Sequence, residues 1–278
     1  MEVKNLEIKE NVKKSYSKIA LSPVGATSCC GPSSSGCGPS AQTTSAVLGY
    51  TKTELENLPE GSDLGLGCGN PTALASIKPG EVVLDLGSGA GIDCFIASAK
   101  TGDKGKVIGV DMTPAMIERA QKNAEKGGYH NVEFRLGEIE NLPVKDNEVD
   151  LIISNCVINL VPDKLQAFKE MRRVLKPGGR IMISDIVLEG KLPDSLTDSI
   201  AAHSACISGA VLKDEYLGAI QEAGLENISV ISQSKAPVDF WLASSETTQI
   251  AEEFGVTLNE AKSAIDSISS VLVTATKK

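Results

Sequence analysis

Val82-Val83-Leu84-Asp85-Leu86-Gly87-Ser88-Gly89-Ala90-Gly91 is the stretch on which the fold turns. An apolar run makes a short buried strand, and three glycines then arrive at alternate positions. A strand that runs into Gly-x-Gly-x-Gly must turn sharply, with its backbone bare enough for a ligand to touch it. Ile92 to Lys100 reads as a helix, so the ligand falls at a helix N-terminus. That is the first β-turn-α of a nucleotide-binding α/β sheet. The spacing departs from Gly-x-Gly-x-x-Gly, and no Gly-Lys-Ser/Thr follows, which excludes a phosphate-cradling P-loop.

Downstream the alternation is regular. Strands are expected at 81–86, 106–111, 131–136, 149–155 and 180–187, with helices at 91–101, 115–126 and 163–175 between them. Lys176-Pro177-Gly178-Gly179 reads as the turn before the fifth strand. Near-continuous apolar strands separated by helices imply a parallel sheet covered on both faces. A helix at 213–223, a strand at 228–232, a helical piece around 250–258 and a last strand at 271–276 complete the pattern.

Upstream, residues 5–20 carry a loose helical stripe of Leu6, Ile8, Val12, Tyr16 and Ile19. From Leu21 to Ser45 the composition shifts to Ser, Gly, Pro and Cys, which reads as a mobile loop holding Cys29, Cys30 and Cys37. Residues 51–58 form a short helix capped by Thr51 or Thr53. Gly61 to Gly69 is a second glycine-rich loop. It is expected to present Cys68 with nothing around it to bury it. Asn70 and Pro71 then open a helix ending near Lys78. Three units follow: residues 1–70 with the N-terminal helix and Cys/Gly loops, 71–233 as the ligand-binding domain, and 234–278 as a C-terminal segment.

Composition narrows the function. The 278 residues carry a net charge of −9, which leaves no basic face for nucleic acid. No apolar run approaches the roughly 20 residues needed to cross a bilayer, and Met1 to Glu10 is charged. A cytoplasmic location without membrane or nucleic-acid partners is therefore expected. Seven cysteines there stay mostly reduced. With no Cys-x-x-Cys pair and only His130 and His203, a structural zinc site is not expected.

Three carboxylates sit where a nucleotide would need them. Asp111 ends the second strand about 20 residues past the glycine loop, placed to accept from two ribose hydroxyls. Thr113 fits the neighbouring helix cap. Asp85, inside an apolar strand, must find loop amides or a cationic ligand group, since burying it unpaired costs several kcal/mol. Glu138 lies past the third strand, where it can accept from an adenine amine.

Val-Leu-Asp-Leu-Gly-Ser-Gly-Ala-Gly (83–91), Val-Ile-Gly-Val-Asp-Met (107–112) and Leu-Lys-Pro-Gly-Gly-Arg (175–180), in that order, resemble a class I S-adenosylmethionine-dependent methyltransferase. The resemblance implies a doubly wound, mostly parallel seven-stranded Rossmann-like sheet whose last strand is reversed. It also implies S-adenosylmethionine as cofactor, with no metal cofactor. Gly87, Ser88, Gly89, Gly91, Asp111, Met112 and Asn155 would line that cofactor, Asp85 would lie near its methionine end and Glu138 near adenine.

Ser-Asn-Cys156-Val-Ile-Asn-Leu-Val-Pro-Asp-Lys, with Leu-Gly-Cys68-Gly and Cys206-Ile-Ser-Gly-Ala, is similar to the arsenite methyltransferases over roughly residues 50–224. Trivalent arsenic is soft and thiophilic, so a site of thiolates without imidazoles suits it. Cys68, Cys156 and Cys206 are the expected arsenic ligands and catalytic residues. Cys94, in the first turns of a helix, reads as core, and His203 as a helix-surface residue. Animal relatives carry one cysteine upstream of the Cys68 loop, where this chain offers Cys29, Cys30 and Cys37. The resemblance implies that one of the three is either the disulfide partner of Cys68 or the first acceptor of arsenic. The substrate would be arsenite or thiol-bound arsenic, with a thioredoxin-like or small-thiol reductant. Two rivals are a quinone- or sterol-type carbon methyltransferase and a non-catalytic arsenic-binding protein.

Overall fold

β-Branched and leucine-rich runs that are apolar on both faces become the inner strands of one sheet. The computed structural model describes residues 2–22, 45–192, 209–235 and 266–278, with Thr257 and Glu260. Seven strands are present among these residues: β1 Val82–Leu86, β2 Lys106–Asp111, β3 Val132–Leu136, β4 Val149–Asn155, β5 Leu175–Leu188, β6 Glu226–Lys235 and β7 Ile268–Thr276. Their order is β3-β2-β1-β4-β5-β7-β6. The first five run parallel, and β7 inserts antiparallel between β5 and β6. This is the reversed last strand that the family resemblance implies. The strand order reverses between β1 and β4, so a crevice opens at their carboxyl ends.

Helices cover both faces. α1 is Glu2–Leu21, α2 Lys52–Glu56, α3 Pro71–Leu74, α4 Ile92–Thr101, α5 Pro114–Gly127, α6 Lys164–Val174 and α7 Lys213–Glu222. On one face Leu84, Leu86 and Ile152 pack with Phe168 and Met171 of α6 and with Tyr216 and Ile220 of α7. On the other, Val83, Val107 and Ile153 pack with Phe95 and Ala97 of α4 and Ile117 of α5. Each such large apolar side chain stabilises by about 1.5–3 kcal/mol when fully buried.

Several local expectations change. Thr51 is the α2 cap, in a complete capping box with Glu54. Asn70 caps α3 as expected, with Pro71 at its first position, but α3 stops at Leu74. Residues 176–179 do not precede the fifth strand. They bulge out of it, because Val149 pairs with Leu175 and Leu151 with Arg180. Most of the helical piece expected around 250–258 lies outside the described residues. Among the described residues, no helix is long and apolar enough to cross a membrane.

Candidate active site

The glycine loop takes its shape from backbone that side chains disfavour. Gly87, Gly89 and Gly91 have φ of 67°, 51° and 102°, the left-handed region. The Gly87 and Ser88 amides both donate to Val110 O, at 2.7 and 3.1 Å, tying the loop to β2. Asp111 completes the tie: its carboxylate accepts from Gly89 N at 3.0 Å and Thr113 N at 2.8 Å. Thr113 caps α5 by position but makes no side-chain cap bond. Burial pushes the Asp111 carboxyl above the usual range despite these bonds.

Beside the loop lies a cleft of about 1500 Å³, open mouth included, lined by Asp85, Gly87, Ser88, Gly89, Asp111, Met112, Asn155 and Cys156. A Cβ on Gly89 would meet none of the described residues within 4 Å, whereas one on Gly87 would come within 2.4 Å of Val157. Gly89 thus leaves room for a ligand, and Gly87 is bare because protein fills the space. Ser88 Oγ is buried and lacks a hydrogen-bond partner among the described residues. That hydroxyl lies against β2, 2.8 Å from where a Cβ on Gly109 would stand, so Ser88 meets the cleft through its backbone. These residues fit a nucleoside-type cofactor.

Two expected cofactor contacts differ. Glu138 is not in the cleft wall; it accepts from Lys9 at 2.7 Å and Lys13 at 3.3 Å on α1. Those bonds hold its carboxyl below the usual range. Its neighbours Ile139 and Glu140 line the cleft instead. Gly91 is the α4 cap residue rather than part of the wall. Among the described residues Asp85 bonds neither a loop amide nor a cation; the Cys94 thiol donates to it at 3.2 Å. Burial, and then the nearby Asp93, drive the Asp85 carboxyl well above its ordinary value. Cys94 is core, fully buried.

Sequence reasoning missed α1 as a wall. Lys9, Val12 and Tyr16 face the cleft, and Lys9 also pairs with Glu140 at 2.9 Å. Arg119 of α5 fastens the far end of α1, donating to Ala20 O and Ser22 O. No motif marks this helix, because a weak apolar stripe does not say what it covers.

The cleft connects to a thiol cluster. Cys156 follows β4 with φ of 58°, a left-handed conformation that cysteine rarely adopts. It is held there by its own amide donating to Ser184 O at 2.8 Å. Cys68 is 4% exposed, contrary to the unburied presentation expected. Its amide donates to Asn155 Oδ1 at 2.9 Å, its carbonyl accepts from Ser270 Oγ at 3.0 Å, and its sulfur lies 3.6 Å from Ser184 Oγ. Strands β4, β5 and β7 thus enclose a loop that reads as exposed from its glycines. Among the described residues no disulfide joins Cys68 or Cys156 to another cysteine. Cys29, Cys30, Cys37, His203 and Cys206 lie outside the described residues.

Asn155 joins the two regions. Besides accepting from Cys68, it donates to Tyr50 Oη at 2.9 Å and Gly69 O at 2.8 Å. Tyr50 in turn donates to Asp93 at 2.8 Å. Asp93 is raised to about 6 by burial, against the downward pull of Tyr50 and Asn155.

One residue at the cluster was not singled out. The sulfurs of Cys68 and Cys156 and a carboxylate oxygen of Asp185 lie within 4.8 Å of one another. Asp185 sits inside β5, fully buried, accepting from Ile186 N at 2.9 Å and Tyr216 Oη at 3.1 Å. Burial raises it to about 6. The signal that marks Asp85, an acid inside an apolar strand, is equally present in Ile183-Ser184-Asp185-Ile186.

The chain belongs to the methyltransferase domain family, whose model matches residues 77–224, and within it to the arsenite methyltransferases. It is 44% identical over 238 residues to an arsenite methyltransferase of Halobacterium salinarum, covering 83% of this chain and 60% of that protein. It is 35% identical over 217 residues to one of Aquipseudomonas alcaligenes, covering 74% and 59%. The crystal structure of CrArsM, an arsenic(III) S-adenosylmethionine methyltransferase from Chlamydomonas reinhardtii, superimposes with a TM-score of 0.63. It is 31% identical, over 84% of this chain and 73% of that one. The chain spans about 60% of the length of these two curated relatives.

Proposed function

We propose that this chain carries the catalytic unit of an S-adenosylmethionine-dependent arsenite methyltransferase acting in the cytoplasm. The observation that carries the reading is the meeting of the Cys68 and Cys156 thiols, with Cys156 in the wall of the cleft beside the glycine loop. S-adenosylmethionine, when bound, supplies an electrophilic methyl group. Asp111 accepts from its ribose hydroxyls, and the backbone of Ser88 and the bare glycines receives its other polar atoms.

Cys68, Cys156 and Cys206 hold trivalent arsenic as three thiolates, which leaves its lone pair free as the nucleophile. No base is needed for the transfer, since arsenic so bound has no proton to lose. Proximity and orientation then supply roughly 7–11 kcal/mol. Methylation leaves arsenic formally pentavalent, so two electrons must return. They come from two thiols closing a disulfide, either Cys68 with one of Cys29, Cys30 and Cys37, or those of a thioredoxin-like or small-thiol reductant.

The test is incubation of the reduced protein with labelled donor and arsenite, followed by arsenic speciation. Label on monomethyl arsenic is expected. Consumption of donor with the label only on a carbon acceptor, or arsenic binding with no consumption at all, would remove the reading.

A further inference from the structure

We propose that Cys68, Cys156 and Asp185 form a binding site for a thiophilic divalent cation, Zn²⁺ or Cd²⁺, that competes with arsenic for the same two thiols. The donors come from three separate segments: the loop before α3, the turn after β4 and the interior of β5. Their ligand atoms lie within 4.8 Å of one another. In a tetrahedral zinc site with bonds of about 2.0–2.3 Å, neighbouring donors lie up to roughly 3.8 Å apart. Closing the gap takes a shift of about 1 Å. Gly67 and Gly69 flank Cys68, and Cys68 and Ser184 also line a side cleft that gives an ion a second approach.

Donor chemistry separates the two ligands. A carboxylate oxygen is a hard donor that trivalent arsenic does not prefer to sulfur, whereas two thiolates and a carboxylate are an ordinary zinc donor set. On the proposed function, on which this contrast rests, arsenic takes the two thiols with Cys206, and zinc takes the same thiols with Asp185 and a water in the fourth position. Asp185 is oriented for this by its outer partners: Tyr216 Oη, Ile186 N and the Asn159 backbone each occupy one lone pair, which leaves one of the roughly four on the carboxylate for an ion. Such supporting hydrogen bonds usually accompany metal ligands. On binding, the two thiols become thiolates and release two protons to the buffer; no electrons move. Zinc held this way blocks arsenite and inhibits methyl transfer competitively. It is an inhibitor of the enzyme, not a resident cofactor.

The experiment uses the full reduced chain and ZnCl₂ alone, with affinity read by calorimetry or by competition with a chromogenic chelator. Wild type is expected to bind one zinc. Asp185→Asn should lose at least about tenfold in zinc affinity, with arsenite affinity nearly unchanged. Cys206→Ser should do the reverse. Asp185→Cys supplies a third thiolate beside the other two and should bind zinc more tightly than wild type, a gain that misfolding cannot produce. Equal zinc affinity in wild type and Asp185→Asn, no gain in Asp185→Cys, or a zinc loss in Cys206→Ser as large as in Asp185→Asn would each overturn the site. The zinc readout needs no turnover. A chain that binds zinc this way yet never methylates arsenite would sink the proposed function and leave this inference standing.

Discussion

The glycine-loop side and the thiol side of the cleft are built by opposite routes. The first is one continuous segment, β1, loop and α4, tied to the end of β2 by Val110 O and Asp111. The second gathers Cys68 from an N-terminal loop, Cys156 from the end of β4, Ser184 and Asp185 from β5, Tyr216 from α7 and Ser270 from β7. Local backbone geometry therefore shapes the donor side. Long-range packing shapes the acceptor side, and Asn155 is the joint between them. Damage on one side should spare the other in measurable ways.

The sharpest break is at the thiols. Arsenite offers three exchangeable positions, but monomethyl arsenic has one already filled by carbon. Cys156→Ser and Cys206→Ser should lose methylation of both by at least about a hundredfold, the scale of a misplaced reactant. Cys68→Ser should lose arsenite turnover and keep turnover of the monomethyl species. The assay needs excess thiol, so that failed reduction is not mistaken for failed binding. Wild-type arsenite turnover in Cys68→Ser would break the three-thiol site, and donor affinity should stay at its wild-type value in all three variants.

A pair of glycine changes tests the other side. Gly87→Ala combines positive-φ strain with a Cβ 2.4 Å from Val157, and should cost roughly 2–4 kcal/mol of stability. Gly89→Ala has the strain without the collision, about 1–2 kcal/mol, but places a methyl in the cleft. Denaturant melts should rank Gly87→Ala as the less stable, with donor calorimetry showing lost affinity in both. Identical melts for the two would mean that Val157 yields and the loop is not pinned as described.

Asp111→Ala should weaken donor binding by about 1–3 kcal/mol, the cost of leaving polar partners unpaired, and leave arsenite affinity almost untouched. Unchanged donor affinity by calorimetry would take Asp111 out of the site.

The smallest effect is electrostatic. Asp93 is raised to about 6, above the roughly 3.9 of an unfolded Asp. Its contribution to stability is therefore fully present below about pH 4 and is lost as pH rises through 6. Asp93→Asn removes the titration. The stability difference between ligand-free wild type and variant should shift by on the order of 1 kcal/mol between pH 4 and 7, against wild type at the higher pH. Carboxylates held low, such as Glu133 at about 2 beside Arg135 and Lys106, act oppositely but equally in both proteins. A pH-independent difference between the two would show that folding does not raise Asp93 above its unfolded value.

The donor side was legible because its signals are short-range. Alternate glycines, an apolar strand before them and an acid about 20 residues on can be read without knowing the fold. Asn70 and Thr51 were legible as caps for the same reason, since a capping hydrogen bond spans three residues. Glu138 was not, because its ion pairs are with Lys9 and Lys13, far away in the chain. The burial of Cys68 was not, because glycine neighbours describe a loop's freedom and say nothing of which strands close over it.

The sequence by itself determined the parallel sheet, the ligand-binding turn and the cysteines that mark a thiophilic acceptor, because each is written in neighbouring residues through backbone freedom, hydrophobic period and side-chain chemistry. Only the tertiary structure decided that α1 walls the cleft, that Asn155 grips the Cys68 loop, and that Asp185 stands with the two thiols. Those contacts join segments whose separation along the chain carries no local signal. They exist because packing the sheet brings the ends of β4, β5 and β7 to one edge, where buried polar groups must find one another.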